Sequence, residues 1–326
     1  MRNVYIISNG TLIRKNNTIY FESKVKSFSL PVKAISNIHI FGEINLNKRL
    51  LEFISKNNIN IFFYSRSNKY IGSFSTPIDI RGDSTIKQVE SYLDPEIRFE
   101  IAKSIVVTAS KNMLNNLRYY NKSINSHIIK KAINQIKLKI TRLNTLKKLP
   151  SLMAYEGRIR QDYYACFDEI IKNKNFIFDK RSYHPPKNIV NAMISLFNTL
   201  LYNYITSLIH ELKLNVSISY LHTSNRRTES LNLDIAEIYK PILVDRFVFR
   251  IINKRMIKLE DFNSNFHLDS STLKSLIFDF DKIFYKSQKV KDKRLTYTTI
   301  IKKDILNLKN FISKKTQLNF FKKRDK

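Results

Sequence analysis

The sequence predicts an α+β chain of two domains, a small N-terminal β-sandwich followed by a larger all-α domain. Three observations carry this. Up to about Phe74, β-branched and aromatic residues alternate with polar ones at the two-residue period of half-buried strands. The stretch STPIDIRGDS (75–84) then gathers proline, glycine, serine and charge, as linkers do. Beyond it the apolar period becomes three to four residues and stays helical. The expected division is a β-rich domain over 1–74, a linker over 75–92 and helices over 93–326. A chain of 326 residues is long enough to give each part its own core.

In the first part, VYIIS (4–8), TLIRK, TIYFES, NIHIF, IFFYS and YIGSF read as strands. Asn16-Asn17 stands between two of them where a tight hairpin turn belongs. NKRLLEFISK (47–56) has helical spacing through Leu50, Leu51 and Ile54. His39 lies in an alternating strand pattern, which assigns it a core or cross-strand role.

In the second part, Asp94-Pro95-Glu96 is a helix start: a capping acid, proline at the first helical position and an acid in the first turn. That helix runs on through Ile101, Ile105, Val106, Met113 and Leu117. From Asn121 to Pro150 there are eight Lys or Arg and no acid, either a solvated helix face or a track for a phosphate backbone. SLMAYEGRIRQDYYACFDEII (151–171) is helical and carries Glu156 among arginines, where a salt bridge is the ordinary role of such an acid. In FDKRSYHPPKN (178–188), Pro185-Pro186 forces extended backbone ahead of the next helix, and His184 reads as structural or as a neighbour of phosphate. The apolar helix over 189–209 is interrupted by Asn191, Ser195, Asn198, Asn203 and Ser207, so it reads as buried rather than membrane-spanning. Around 219–255, His222 sits in a polar loop with Arg226 and Arg227, followed by a helix. There Leu231, Ile235, Ile238 and Ile242 make an apolar stripe, and Asp234 and Glu237 share one flank at its boundary. Pro241 kinks that helix or ends its first part. Asp269 or Ser270 caps a further helix. The last stretch, 301–326, has nine Lys or Arg against two Asp, with a frayed FFKKRDK end.

The formal charge is +30, from 57 Lys and Arg against 27 Asp and Glu. A charge of that size draws polyanions, with nucleic acid as the leading partner and an anionic membrane surface as the weaker alternative. The lone Cys166 excludes an intrachain disulfide and a cysteine-rich zinc site. The first apolar run is too short for a signal peptide, so a soluble cytoplasmic protein is expected. No GxxxxGK[ST] occurs, which argues against a nucleotide-driven motor.

Three separated positions offer ligand chemistry: Glu156, His222 and the Asp234/Glu237 pair. One imidazole with carboxylates is an oxygen-rich donor set that suits Mg2+ or Mn2+ better than zinc. In a basic protein, such an ion suggests phosphodiester chemistry. From the residues alone the chain is a basic nucleic-acid-binding protein, with catalysis left open.

The string SYLHTSNRRTESLNLDIAEIYKPILVDRFVFRIINK resembles the signature of the CRISPR-associated spacer-acquisition integrase, the "Cas one" nuclease family. The histidine, the arginine loop, the Asp-x-x-acid helix, Lys-Pro and Val-Asp-Arg follow the family order. YEGRIRQDYY, RSYHPPKNIVNAMISLFNTLLY and the opening VYIISNGTLIRKNNTIYF also match, most closely members of type I-B systems. Asn188, Leu196-Phe197-Asn198 and Ser219-Tyr220 depart from the family pattern, and none removes a ligand. The resemblance implies an all-α catalytic domain, a homodimer formed through the N-terminal domain, and the small partner "Cas two". It also implies metal ligands at Glu156, His222 and Glu237, with Asp234 in support. Lys240 and Arg226 or Arg227 would face DNA, and Arg160 and Arg181 are further basic candidates. The implied reaction joins 3′-hydroxyl ends of captured DNA to a CRISPR repeat. The alternatives are a metal-dependent DNA or RNA nuclease without integration, and a catalytically silent DNA-binding scaffold.

Overall fold

The computed structural model describes residues 2–24, 26–66, 68–75, 82–183, 185–222, 229–290, 292–314 and 316–323. The chain forms two compact units, Met1–Asp79 with Asn263–Lys282, and Ile80–Phe262 with Ile283–Lys326.

The first unit is the expected β-sandwich. Its strands are β1 (Arg2–Ile6), β2 (Gly10–Lys15), β3 (Thr18–Glu22), β4 (Ser27–Leu30), β5 (Ile35–Ile40), β6 (Ile44–Asn45), β7 (Asn60–Tyr64) and β8 (Tyr70–Phe74), with helix α1 (Lys48–Lys56) before β7. They make two four-stranded sheets, ordered β1-β5-β7-β8 and β4-β3-β2-β6. Leu12, Ile19 and Phe21 from one sheet meet Ile38, Ile40 and Ile61 from the other, with Leu50, Phe53 and Ile54 of α1 in the same core. The β2–β3 turn is made by Asn16-Asn17, and Asn16 takes a positive φ of 53° that asparagine tolerates. Gly10 is required where it stands, because a Cβ there would lie 2.4 Å from the carbonyl oxygen of Glu22. β4 and β6 were not legible beforehand, since SFSL lacks a clear alternation and β6 is two residues long.

His39 is buried in this unit, as its strand pattern predicts. Its Nδ1 lies 2.8 Å from the Tyr64 hydroxyl, and its ring stacks between Tyr5 and Phe62. Beside it, Asn60 donates to Asn37, Asn37 to Asn3, and Asn3 and Tyr5 to Asp281 at 2.6 and 3.0 Å. Through Asp281 this polar ladder bonds residues 263–282, expected among the helices, to the sheets with which they group.

The second unit is helical: α2 (Gly82–Leu93), α3 (Pro95–Ile124), α4 (His127–Leu143), α5 (Leu149–Tyr164), α6 (Phe167–Ile170), α7 (Ile189–Glu211), α8 (Leu231–Tyr239) and α9 (Arg246–Asn253). All but the last two residues of α10 (Ser270–Phe284) belong to the first unit; the second resumes with a hairpin of β9 (Ser287–Val290) and β10 (Lys293–Thr296) that leads into α11 (Tyr297–Ile312). Asp94 caps α3 as its sequence predicts, accepting from the N–H groups of Glu96 and Ile97 at 2.9 and 3.0 Å. Asp269 caps α10, accepting from the N–H groups of Ser271 and Thr272. The range taken as linker holds α2, whose Gln88 clamps Asn215 through bonds of 3.1 and 2.8 Å. α7 is long and apolar enough to cross a membrane by length and composition, but its most apolar window is 67% buried within the fold. α3 is the central post of this unit and packs on α4, α5 and α8.

Candidate metal centre and active site

α8 is not a surface helix with acids at a core boundary. Every residue from Leu231 to Tyr239 is buried, Asp234 and Glu237 included, because α3 and α7 flank it. As expected, the α-helical part ends just ahead of Pro241, at Tyr239. Proline has no N–H for the carbonyl four residues back, and the helix continues past it as a π-helical turn, Lys240–Asp245, bonded i→i+5.

Asp234 answers its burial with donors rather than a cation. Its two oxygens accept from the N–H groups of Tyr220 (2.7 Å), Leu221 (2.9 Å) and His222 (3.1 Å). Its Oδ1 also lies 2.7 Å from His222 Nδ1. One carboxylate thus folds the loop before α8 and orients the imidazole. With Nδ1–H given to Asp234, the other nitrogen is the one left for chemistry, and His222 Nε2 lies 4.0 Å from Glu237 Oε1. Arg98 secures the same loop by donating to the Tyr220 carbonyl at 3.1 Å.

Glu156, on α5, and Glu237, on α8, are joined by Arg160, whose guanidinium donates to both. Lys240 donates to Glu237 Oε1 at 2.8 Å and lies over the Tyr202 ring. Burial works against a charged Glu237, but Arg160, Lys240 and His222 outweigh it and hold the carboxyl at about 2. For His222, burial is outweighed by the Asp234 hydrogen bond and by the charges of Asp234 and Glu237, so its pKa is raised. A negative potential that favours a proton on this imidazole favours any cation there.

The structure therefore brings Glu156, His222, Asp234, Glu237, Arg160 and Lys240 into one cluster. Arg181 is not in it: it donates to Asn191 Oδ1 (2.8 Å) and Ser195 (3.0 Å) and stacks on Tyr183, which ties the 178–188 loop to α7. Arg226, Arg227 and His184 lie outside the described residues. Sequence reasoning passed over Tyr163 and Asp245. The Tyr163 hydroxyl donates to Asp245 at 2.9 Å and accepts from Asn116, which also receives Arg246, so α3, α5 and the π-helical turn are bonded together. Burial, partly countered by the Tyr163 bond, pushes Asp245 up to about 7. The Val-Asp-Arg string was the available signal.

Among the described residues, no three His, Cys, Asp or Glu side chains stand close enough to enclose an ion as placed. Arg160 bridges the two glutamates instead. The donor chemistry nevertheless fits a hard divalent ion: two carboxylates, and an imidazole whose far nitrogen is held by an acid, the usual support of a metal-bound histidine.

Comparison with known proteins identifies the family. The model of the family described as CRISPR associated protein Cas1 matches residues 4–282. A CRISPR-associated endonuclease Cas1 of Thermodesulfovibrio yellowstonii is 39% identical over 321 residues, covering 96% of each chain. The Fusobacterium nucleatum CRISPR-associated endonuclease Cas1 is 34% identical over 98% of this chain and 96% of its own. Among solved structures, a Cas1 protein from Thermotoga maritima superposes with a TM-score of 0.85 at 32% identity, covering 99% of this chain and 100% of that one. A casposase bound to integration product shares the fold, with a TM-score of 0.87 at 18% identity over 100% of this chain and 94% of that one. With its sandwich, its helical unit and its acid–histidine cluster, the chain belongs to the Cas1 family of CRISPR-associated proteins.

Proposed function

We propose that this protein is an integrase and endonuclease of CRISPR adaptation. The observation that carries this reading is the convergence of Glu156 and Glu237 on Arg160, beside a histidine oriented by Asp234. Glu156, His222 and Glu237 would hold Mg2+ or Mn2+. The bound ion would neutralise phosphoryl charge and lower the barrier to attack by a hydroxyl. Asp234, bonded to His222 Nδ1, orients the ring and leaves Nε2 as the nitrogen that would bind such an ion. Lys240 and Arg160, already charged beside Glu237, supply donors for phosphate oxygens once DNA or the ion displaces their present pairing.

The reaction is transesterification. The 3′-oxygen of a captured fragment bonds to phosphorus at the border of a CRISPR repeat, so the 5′ end of the repeat becomes joined to the fragment. The flanking strand leaves with a 3′-hydroxyl that takes up a proton in place of the one the attacking hydroxyl gives up. One phosphodiester forms as one breaks, which suits a chain without a nucleotide-binding loop. Water in place of the 3′-hydroxyl gives nicking at the same site. The partners are duplex DNA, a second copy of this chain through the sandwich domain, and the small Cas2 protein; a Cas1–Cas2 assembly and a DNA-bound Cas1 are among the solved structures that share the fold.

The test is strand transfer from a short duplex with free 3′-hydroxyl ends into a supercoiled plasmid bearing a repeat, with Mn2+ or Mg2+. Wild type should give joined product. Glu156→Ala, His222→Ala and Glu237→Ala should give none while remaining folded. Nicking without joining, even with Cas2 present, would replace this reading with that of a simple nuclease. Tight DNA binding with neither product would leave a scaffold.

A further inference from the structure

Of the FFKKRDK end expected to fray, residues 320–323 are docked, and 324–326 lie outside the described residues. Phe320 is buried, and the Phe321 N–H donates to Asp304 Oδ2 at 2.8 Å. Asn112 receives the Lys323 N–H at 3.0 Å and donates to the Phe321 carbonyl at 3.3 Å, while Asn115 donates to the Lys323 carbonyl. Asn307 holds the Asn319 carbonyl, and Lys323 Nζ reaches the Tyr297 hydroxyl, each at 3.0 Å.

The two buried side chains that grip this segment, Asn112 of α3 and Asp304 of α11, each have a second partner on α8. Asn112 donates to the Ile238 carbonyl at 2.9 Å, and Asp304 Oδ2 accepts from the Tyr239 hydroxyl at 2.5 Å. Ile238 and Tyr239 lie between Glu237 and the π-helical turn that begins at Lys240. That junction is where the helix changes its bonding register. A slip there would rotate Glu237 relative to His222 and Glu156.

We propose that residues 319–323 form a strap that sets the register of α8 at its α-to-π junction, with Asn112 and Asp304 as positioning residues for Glu237. The proposal rests on the reading of Glu237 as a metal ligand. Losing the strap leaves Asn112 without two of its three partners. It also leaves Asp304, which burial already pushes up to about 7, without one of its two donors. Both losses fall beside the helix that carries Glu237.

The experiment uses full-length protein in four forms besides wild type: Asn112→Ala, Phe320→Ser, Phe320→Leu and Glu237→Ala. Mn2+ binding is read directly from the EPR signal of the free ion. Plasmid nicking gives kcat and KM, and thermal melting gives Tm. Asn112→Ala and Phe320→Ser should weaken Mn2+ binding and lower kcat by roughly tenfold, the usual cost of losing support behind a metal ligand, with KM for DNA within about twofold. Phe320→Leu should restore both. Phe320→Ser leaves the Asn112–Ile238 bond in place, so it carries the test if Asn112→Ala fails to fold. A lower Tm with Mn2+ affinity and kcat unchanged makes the strap merely structural and overturns the proposal. Wild-type Mn2+ affinity in Glu237→Ala would instead overturn the metal reading beneath it, and the strap proposal with it.

Discussion

Arg160 is the residue on which the site's charge balance turns. It neutralises Glu156 and Glu237 at once, and Glu237 is almost wholly buried. Arg160→Gln should cost about 3 kcal/mol in urea unfolding without metal, because a buried carboxylate loses its main cation. Mn2+ should then raise the Tm of the variant more than that of wild type, since the ion supplies the missing charge. Equal metal-induced shifts would show that Arg160 and the ion do not share the carboxylates. At His39 the argument concerns pH. Burial lowers its pKa from 6.5 to about 3, so the folded state prefers the neutral ring. Its contribution to stability is complete above the unfolded value and is lost as pH falls toward the folded one. His39→Phe should therefore keep relative stability between those limits that wild type loses. Parallel stability curves for the two proteins would refute this.

At the scale of elements, α4 offers a separable function. Its Ile129, Ala132, Ile133 and Ile136 face the core, while Lys130, Lys131 and Lys137 are exposed. Lys139 differs, because it pairs with Asp162. Changing Lys130, Lys131 and Lys137 together to Gln should weaken duplex binding and reduce the slope of log K against log salt by up to about 3, near 0.9 per lost phosphate contact. An unchanged slope would make this face merely solvated. The π-helical turn and α8 behave differently as elements. Buried on all sides, they present their acids from within the core, so substitutions there move stability and chemistry together.

For the whole molecule, the +30 charge and the cluster's own acids divide binding from catalysis. The cationic surface attracts DNA without help, whereas Arg160 and Lys240, held by Glu156 and Glu237, would turn to phosphates only once another cation takes over those carboxylates. Chelation with EDTA should therefore abolish nicking and strand transfer while changing affinity for duplex DNA less than about tenfold at fixed ionic strength. Parallel loss of binding would mean that the metal recruits DNA rather than activating it.

The sequence by itself determined the two kinds of unit, the cap at Asp94, the choice of Asp269 or Ser270 ahead of a further helix and the Asn16-Asn17 turn, and its family resemblance pointed to the clustered acids and histidine. Those are local properties, written in period, capping chemistry and motif. It did not determine that α8 is buried on every side, that Arg160 joins two glutamates far apart in sequence, that Tyr163 binds Asp245, or that residues 263–282 group with the sandwich. It left open how the chain continues past Pro241, and it misread residues 320–323 as frayed. A proline's missing N–H can break a helix or shift its bonding, and a basic tail can fray or dock. The tertiary structure decided between these outcomes, because the partners that settle each case, α3 and α7 around α8 and Asn112 and Asp304 under the tail, come from distant parts of the chain.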